Sequence, residues 1–439
     1  MSILTFVGGV HPWDGKELSK DKEIAVYEPQ EEVAISMSQH IGAPAKVIVK
    51  KGDYVLVGQK IGEADGFVSA NVHSSISGTV KAIETRLMTN GSKAECVIIE
   101  NDKEYKEIEY DTPDDVNALS KEEIRSRIKE AGVVGMGGAC FPTHIKLTPK
   151  EDDKVEYVIV NGAECEPYLT SDYRRMVEQP EYLIEGLKII LSLFPNAKGI
   201  IAIEDNKRDV IVHIKDLVKK EKNIEVKELY TKYPQGSERH LIYATTGRQI
   251  NSSMLPVDAG CIVDNVDTVF AVRNAVAEGI PLINRVITVT GDAIRRPQNF
   301  LVRIGTNTEE LVEAAGGYTR YPKKIISGGP MMGTALFDLD VPVVKGSSAL
   351  LCFKRDYVTE VEESECINCG RCVSACPGRI VPSRLAKIAE RGDKEEFIRL
   401  NGMECCECGC CSYICPAKRH LTQRIKTIRR EILEDRRKK

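Results

Sequence analysis

Long apolar runs are absent from this sequence, and so is any large net charge. The longest apolar stretches, residues 187–194 and 349–353, are much shorter than the ~18 residues that a membrane-spanning helix needs. A formal net charge of −4 over 439 residues gives no general attraction to nucleic acid. The first residues have no basic segment before an apolar one, so we expect no signal peptide. These absences predict several globular domains, no transmembrane helix and no nucleic-acid partner.

Histidine is scarce as well, and the sequence offers no cluster of groups for acid–base catalysis. The seven histidines are spread from His11 to His420 without a shared spacing. Each is interpreted as a packing or surface residue. This scarcity agrees with a site that has no catalytic side chain.

Cysteine is plentiful, and its distribution predicts metal binding rather than disulfide bonds. Ten of the fifteen cysteines lie between Cys366 and Cys415, whereas disulfide frameworks are typical of small secreted chains. Thiolate ligands imply a reducing compartment, so we expect a cytoplasmic location.

The cysteine-rich segment contains one spacing twice, C-x2-C-x2-C-x3-C followed by proline. This is the ligand run of bacterial two-cluster ferredoxins, in which three cysteines bind one [4Fe–4S] cluster and the fourth binds the other. The first cluster is therefore assigned to Cys366, Cys369, Cys372 and Cys415, and the second to Cys405, Cys408, Cys411 and Cys376.

Zinc is the competing interpretation, because paired C-x2-C motifs also form zinc sites. A zinc site does not require a third cysteine at the same spacing and a fourth before proline, and this arrangement occurs twice. Iron–sulfur clusters are favoured for that reason. Cys406 and Cys410 fit neither run and are expected to be free thiols packed beside a cluster.

The N-terminal region, residues 1–115, predicts a β domain. It contains short apolar segments broken by glycines, and it resembles a barrel-sandwich domain of the biotinyl/lipoyl type. Residues 64–67, at the predicted hairpin tip, contain no lysine. The domain is therefore expected to be unmodified and to have a structural or docking role.

The middle of the chain predicts two further domains. Residues 116–285 alternate helical periodicity with short apolar runs, which is the pattern of an α/β domain. Ser120 and Glu123 predict a capping box for its first helix. Residues 286–354 resemble a small β-grasp (SLBB-like) domain.

The C-terminal part predicts a ferredoxin-like α domain at residues 355–425 and a basic tail at residues 426–439. Residues 421–439 place apolar side chains on one helical face and carry eight basic against three acidic residues. Such a helix binds an anionic membrane surface or a partner subunit, or is simply a solvated helix end. These interpretations stay open.

Four motifs in the α/β region suggest a ligand site. They are a glycine-rich stretch at residues 132–146, NGAECEP at 161–167, GSER at 236–239 and DNVDT at 264–268. The first is not a P-loop and lacks a Rossmann context. Each motif alone is more typical of a turn or an N-cap. Four such motifs in one region are harder to explain as turns and caps alone. In addition, carboxylates that follow a strand lie where α/β sheets bind ligands.

The same segments carry a family resemblance. In order, GMGGACFPTHIKL, NGAECEPYLTSDYRR, YPQGSERHLI and DNVDT resemble the FMN- and NADH-binding segments of the flavoprotein subunit of respiratory complex I. Together with GGVHPWDGK, CINCGRCVSACP and CCECGCCSYICPAKRHL, they resemble more closely the C subunit of the Rnf complex, a membrane-bound ferredoxin:NAD oxidoreductase. The resemblance covers essentially the whole chain in one domain order.

The resemblance implies a set of cofactor contacts. NADH would stack on Phe141 and meet Glu164, Glu166 and Asp172. FMN, bound noncovalently because the chain has no S/T-G-A-T sequence, would lie among Gly135, Gly137, Gly138, Lys146, Asn161, Gly236, Glu238, Asn265 and Thr268.

Two positions depart from the complex I pattern. Ala163 replaces an aspartate, so that flavin contact is missing or supplied elsewhere. No lysine between Gly247 and Gly260 matches the one that complex I has before its last motif.

The function that the resemblance implies is electron transfer at the cytoplasmic face of the membrane. A peripheral subunit would exchange hydride between NAD(H) and FMN and single electrons with two [4Fe–4S] clusters. Its partners would be the other Rnf subunits, namely the membrane subunits and the ferredoxin-accepting B subunit. Two alternatives remain: a cobalamin reductase of a microcompartment, which shares this architecture, and an electron-relay module without flavin.

Overall fold

The structure is a computed structural model, and it describes residues 3–438. In chain order, the strands are β1 (Ala25–Tyr27), β2 (Glu32–Ser36), β3 (Lys46–Val47), β4 (Tyr54–Val55), β5 (Lys60–Glu63), β6 (Val72–His73), β7 (Gly78–Leu87), β8 (Lys93–Asn101), β9 (Tyr157–Gly162), β10 (Lys198–Glu204), β11 (Ile224–Leu229), β12 (Cys261–Asn265), β13 (Asn284–Thr290), β14 (Gln298–Arg303), β15 (Lys324–Ser327), β16 (Thr334–Leu336) and β17 (Ala349–Phe353).

The α-helices follow the same order. They are α1 (Lys121–Glu130), α2 (Thr143–Lys146), α3 (Ser171–Glu178), α4 (Pro180–Ser192), α5 (Arg208–Leu217), α6 (Glu238–Thr246), α7 (Val266–Arg273), α8 (Thr308–Ala314), α9 (Arg371–Ala375), α10 (Pro382–Glu390), α11 (Lys394–Arg399), α12 (Cys410–Tyr413) and α13 (Leu421–Lys438).

The predicted barrel-sandwich domain is formed by two small antiparallel sheets. One has the strand order β2-β8-β7-β4 and the other β3-β5-β6. Alternate residues of these strands, such as Val33 and Ile35 of β2, point into a shared core and are fully buried. The period-2 pattern therefore produces the predicted sandwich.

The predicted α/β domain is built on a parallel sheet of order β11-β10-β9-β12. Its central strands are apolar along almost their whole length because helices cover both faces, with α4 and α7 on one side and α6 on the other. The capping box at the start of α1 is present, with the Glu123 N–H 3.2 Å from the Ser120 hydroxyl oxygen. The carboxyl ends of the strands meet at one edge, and this edge positions the site.

The β-grasp domain contains more of the chain than the sequence predicts. Its six-stranded sheet has the order β1-β14-β13-β17-β15-β16. The outer strand β1 pairs in parallel with β14, although it lies inside the predicted N-terminal domain. Residues before β1 pack on the α/β domain, where Leu4 and Val10 form bridges with Leu229 and Tyr233. The predicted region 1–115 therefore contributes to three units.

A buried lysine joins three of these units. Lys345, which follows β16, is fully buried, and its ammonium donates to the carbonyl oxygens of Asn71 and Gly132, both at 2.7 Å. Burial lowers the pKa of Lys345 to about 7. These two bonds fix the barrel sandwich and the start of the glycine-rich segment to the β-grasp domain.

The ferredoxin-like domain consists of α9 to α13, and it differs from the prediction at its end. Helix α13 crosses the predicted boundary at residue 426 without a break. Its apolar residues Ile425, Ile428 and Ile432 are buried against Phe397 and neighbouring side chains. This apolar face is therefore part of the domain core and is not available to a membrane. Within residues 3–438, none of the helices combines the length and apolar character that spanning a membrane requires.

A pair of substitutions on α13 tests this packing. Ile428 is 2% exposed and Leu433 is 38% exposed. We expect Ile428→Ala to lower the free energy of unfolding of the C-terminal domain by about 2–5 kcal/mol, because it leaves a cavity. The control, Leu433→Ala, should change it by about 0.5 kcal/mol or less. Urea unfolding followed by circular dichroism measures both, and equal effects would contradict the observed packing.

Candidate functional site

The four sequence motifs meet at the carboxyl edge of the parallel sheet. Asn161 at the end of β9 lies beside Asn265 at the end of β12. The Asn161 side chain donates to the Gly236 carbonyl at 2.8 Å, and the Thr268 hydroxyl accepts from the Met136 N–H at 2.8 Å. Segments more than a hundred residues apart are thereby joined around one concave edge.

The glycine-rich segment forms a turn over this edge. The Gly135 N–H donates to the Phe141 carbonyl at 2.8 Å, which folds the segment back on itself. Gly137 has a φ of +83°, and a Cβ there would lie 3.0 Å from the Asn265 amide nitrogen. A Cβ on Gly138 would meet nothing within 4 Å, so this glycine faces open space. The turn therefore offers bare backbone to a ligand.

Lys146, one of the predicted FMN contacts, is held at the same edge. Its ammonium donates to the Val263 carbonyl at 2.7 Å and to the Asp264 carboxylate at 3.0 Å. Burial opposes the charge on Lys146, but Asp264 and Glu238 outweigh burial, and the net effect raises the pKa of Lys146. The second carboxylate oxygen of Asp264 is buried without a partner. This edge therefore has a hydrogen-bond acceptor that is available to a bound group.

Two of the predicted dinucleotide contacts, Glu164 and Asp172, lie together. Glu164 Oε1 accepts from the Asp172 N–H at 2.7 Å, and Asp172 Oδ2 accepts from the Asn265 amide at 2.7 Å. Burial raises the pKa of both carboxyls, and for Asp172 the nearby Glu164 and Asp267 act in the same direction. Glu164 Oε2 is buried without a hydrogen-bond partner.

Glu166, the third predicted dinucleotide contact, is bonded to the β-grasp domain. Its carboxylate accepts from the backbone N–H groups of Met331, at 3.1 Å, and Met332, at 3.0 Å, in the β-grasp domain. Burial raises the pKa of Glu166 to about 7. A contact with the dinucleotide therefore competes with these two bonds. Phe141 is half-buried in the glycine-rich turn, and Glu238 is exposed at the start of α6.

Several charged residues at this edge escaped the sequence analysis. Asp267 is buried between Arg285, at 2.8 Å, and Arg175, at 3.1 Å. The Lys207 ammonium donates to the carbonyl of Ala163 at 2.7 Å and lies 3.5 Å from Glu204. Asp267 stands in the DNVDT motif and Arg175 ends the NGAECEPYLTSDYRR segment, but nothing in the spacing of the other three residues marks them.

The second predicted set of cysteines lines one cavity. In the described part of the chain, no three His, Cys, Asp or Glu side chains are grouped so as to hold a metal ion. The residues that line the cavity include all four members of that set, Cys376, Cys405, Cys408 and Cys411, and also the additional Cys406 and Cys410. Cys376 from the first run thus lies with three cysteines of the second run, as crossed ligation requires. A lining of six cysteines suits a [4Fe–4S] cluster, which takes four thiolate ligands.

The first predicted set is closer to the surface. Cys372 is buried against Cys411, whereas Cys369 is exposed and Cys366 and Cys415 are half-buried. Within residues 3–438, none of the fifteen cysteines forms a disulfide bond.

Side-chain packing joins the two candidate sites. Cys165 from the NGAECEP motif and Met331 pack with Tyr233, Cys408 and Cys410 in one apolar cluster. The Cys410 thiol lies 3.8 Å from the Tyr233 carbonyl. The edge of the parallel sheet and the cysteine cavity are therefore neighbours through one shared layer of side chains.

Comparison with known proteins gives the same domain order. Family models match residues 4–104 (RnfC Barrel sandwich hybrid domain), 128–274 (Nuo51 FMN-binding domain), 286–335 (SLBB domain) and 359–381 (4Fe-4S binding domain). These matches confirm the predicted fold class.

Full-length relatives are similar over nearly the whole chain. The C subunit of the Na(+)-translocating ferredoxin:NAD(+) oxidoreductase complex of Acetobacterium woodii is 44% identical, covering 99% of this chain and 98% of the relative. The C subunit of the proton-translocating ferredoxin:NAD(+) oxidoreductase complex of Clostridium ljungdahlii is 45% identical, covering 98% and 94%.

A solved structure shares the fold at much lower identity. The chain aligns with an NAD+-reducing [NiFe]-hydrogenase in its H2-reduced state, with a TM-score of 0.50 and 19% identity, over 72% of this chain and 61% of the other. This similarity concerns the fold alone.

The buried Glu166 carboxyl predicts a pH dependence of stability. Its pKa of about 7 exceeds the ordinary 4.5, so the folded state binds more protons than the unfolded state between these values. The free energy of unfolding should therefore fall as pH rises from about 5 to about 8. Glu166→Gln should make this decline shallower by up to about 3 kcal/mol. Urea unfolding at both pH values measures the difference, and equal declines would contradict the assignment.

The shared cavity predicts which cysteines act together. Cys376→Ala and Cys408→Ala should abolish the same one of two iron–sulfur signals in electron paramagnetic resonance, and Cys372→Ala the other. Each should lower the iron content by about half. Cys406→Ala is the matched control because Cys406 lines the cavity outside the ligand set, and it should keep both signals. If Cys376→Ala resembled Cys372→Ala instead, crossed ligation would be wrong.

Proposed function

The chain belongs to the family of Rnf complex C subunits, and we propose that it exchanges hydride between NAD(H) and a noncovalently bound FMN, and single electrons with two [4Fe–4S] clusters. Its reaction is that of a subunit in ferredoxin:NAD+ oxidoreduction coupled to ion transport. The observation that carries this function is the close packing of the four-motif edge against the cysteine cavity, in a chain related to this family along its whole length.

The residues at the sheet edge suit FMN. A bound FMN would supply the conversion between two-electron and one-electron chemistry. Gly138 presents open backbone, Gly137 allows the turn to approach Asn265, and Asp264 keeps Lys146 charged beside it. The unpartnered oxygens of Glu164 and Asp264 are acceptors for N–H or O–H groups of a ligand. Orientation and exclusion of water are the tasks of these side chains, and none acts as a general acid or base.

The NADH contacts are proposed for Phe141, Glu164 and Asp172. Phe141 supplies a half-buried ring on the glycine-rich turn, and rings of this kind stack on planar ligands. The two acids lie within the same edge and hydrogen-bond to each other through the Asp172 N–H. Glu166 is assigned a smaller part, since its carboxylate already binds the Met331 and Met332 N–H groups.

The thiols are proposed to hold the two clusters in crossed fashion. Cys376, Cys405, Cys408 and Cys411 would hold the cluster nearer the sheet edge, since Cys408 packs beside Cys165 and Tyr233. Cys366, Cys369, Cys372 and Cys415 would hold the outer one, and the exposure of Cys369 suits exchange of electrons with a partner.

The partners and the location are part of this proposal, and they are supported by relatives that are named as subunits of ion-translocating complexes. We place this chain at the cytoplasmic face of the membrane, bound to the membrane subunits and to the ferredoxin-accepting B subunit. The full-length similarity supports this function over the cobalamin reductase and the relay module without flavin.

Cofactor analysis tests the proposal. Protein purified without oxygen should contain about one FMN and about eight iron atoms, and NADH should bleach the flavin absorbance. Cys372→Ala should lose about half of the iron and keep NADH-driven bleaching, because its helix lies outside the sheet edge. Wild-type protein with iron but no flavin would support the relay module instead, and zinc in the thiolate sites would refute the cluster assignment.

A further inference from the structure

We propose that residues 8–16, GGVHPWDGK, form an N-terminal strap that holds the nucleotide loop, residues 164–169, and the cluster loop, residues 375–378, in fixed relative positions, with Lys16 as the positioning residue. The strap is the one sequence motif that the cofactor contacts do not explain. Its contacts are independent of function, whereas its effect on electron transfer rests on the function proposed above.

At its first end, the strap touches the cluster loop through backbone. The Gly9 N–H donates to the Ala375 carbonyl at 2.9 Å. A Cβ on Gly8 would lie 3.0 Å from the carbonyl oxygen of Cys376, one of the proposed ligands. Both glycines have positive φ, +89° for Gly8 and +86° for Gly9. A side chain at either position is therefore disfavoured by the backbone conformation and also by the lack of space.

The middle of the strap is paired with Tyr233. Val10 and Tyr233 exchange two backbone hydrogen bonds, of 2.8 and 2.9 Å. A Cβ on Gly9 would come within 2.7 Å of the Tyr233 carbonyl, which also faces the Cys410 thiol. Lys232 adds hydrogen bonds to the carbonyls of Phe6 and Gly8. The strap thus follows the layer of side chains between the two sites.

At its other end, the strap forms hydrogen bonds with the nucleotide loop. The Lys16 side chain is buried, and its ammonium donates to the carbonyls of Glu164 at 2.9 Å, Glu166 at 3.1 Å and Leu169 at 2.5 Å. All three N–H donors of the ammonium are therefore used. The Glu164 carboxylate lies 3.8 Å away.

The turn before Lys16 is fitted to the same loop. The Asp14 carbonyl accepts from the Tyr168 N–H at 2.5 Å. Gly15 has a φ of +57°, and a Cβ there would lie 2.6 Å from the Tyr168 ring. The Trp13 and Tyr168 rings meet edge to face, with centroids 5.4 Å apart.

The geometry implies coupling because one short segment is bonded at both ends. A shift of the nucleotide loop pulls on Lys16, and the shift is transmitted through the Val10–Tyr233 pairing to the Gly9–Ala375 bond. Transfer of a single electron depends steeply on separation, so a strap that fixes the two loops also fixes the transfer rate.

Hydrogen–deuterium exchange on the full-length protein, as purified without oxygen, tests the strap. Lys16→Met removes the ammonium at one end, and Gly9→Ala forces a Cβ against Tyr233 at the other. Each variant should raise amide exchange by about tenfold in both the nucleotide loop and the cluster loop. If each variant changed only the loop that it touches, the strap would be two local anchors and the proposal would be overturned.

Matched controls separate the strap from general strain. Lys22→Met removes an exposed lysine six residues further on. Gly91→Ala replaces a glycine of similar φ, +79°, where a Cβ meets nothing within 4 Å. Both should leave exchange in the two loops unchanged. If Lys16→Met fails to fold, Gly9→Ala still decides the question through its effect on Tyr168 and Leu169, the residues of the nucleotide loop that bind the far end of the strap.

A kinetic readout tests the positioning role. In rapid mixing with NADH, Gly9→Ala should slow reduction of the clusters more than bleaching of the flavin. Equal slowing of both phases would refute the positioning role. Wild-type protein that binds no flavin would refute the proposed function, and the exchange results for the strap would still stand.

Discussion

Buried ammonium groups bonded to backbone carbonyls hold this molecule together. Removing a lysine charge from water is costly, and the cost is offset only when the donors find good acceptors. Lys16 binds three carbonyls, Lys345 two, and Lys207 one beside the Glu204 carboxylate. Each joins segments that are far apart in the sequence. Loops that lack regular structure are thereby fixed as firmly as strands, and these loops form the candidate site.

The arrangement places two kinds of chemistry side by side. The parallel sheet gathers Asn161, Asn265 and the acids at one edge, as open α/β sheets do for their ligands. The cysteine cavity is separated from that edge by the layer that contains Cys165 and Tyr233. Packed side chains in that layer hold the two sites at a fixed separation. For electron transfer, the main task of the protein is to hold the two sites at a fixed separation, and this task needs no side chain that acts as an acid or a base.

Sequence patterns predicted the features that depend on spacing. The two cysteine runs predicted the group of four cysteines around the cavity, because their spacing determines which cysteines can bind one cluster. The Ser120–Glu123 capping box and the alternation of the barrel-sandwich strands were predicted for the same reason.

Features that depend on single residues were not predicted from the sequence. No pattern marks Lys207 or Lys345, and the GGVHPWDGK motif contains Lys16 without showing its role, because a single lysine is interpreted as a surface residue until its acceptors are known. The strand β1 was misplaced because its partner, β14, lies more than 270 residues away. The apolar face of α13 was recognised, but periodicity cannot say what covers it, and here the domain core does.

The position of Cys376 has a consequence for biosynthesis. Cys376 lines one cavity with Cys405, Cys408 and Cys411, so that group is incomplete until the second cysteine run has been synthesised. The upstream domains are translated earlier, and they can fold while that run is still being made. Folding of the upstream domains can therefore precede assembly of this group of four cysteines. A chain interrupted between the two runs would carry Cys376 without the three other members of its group.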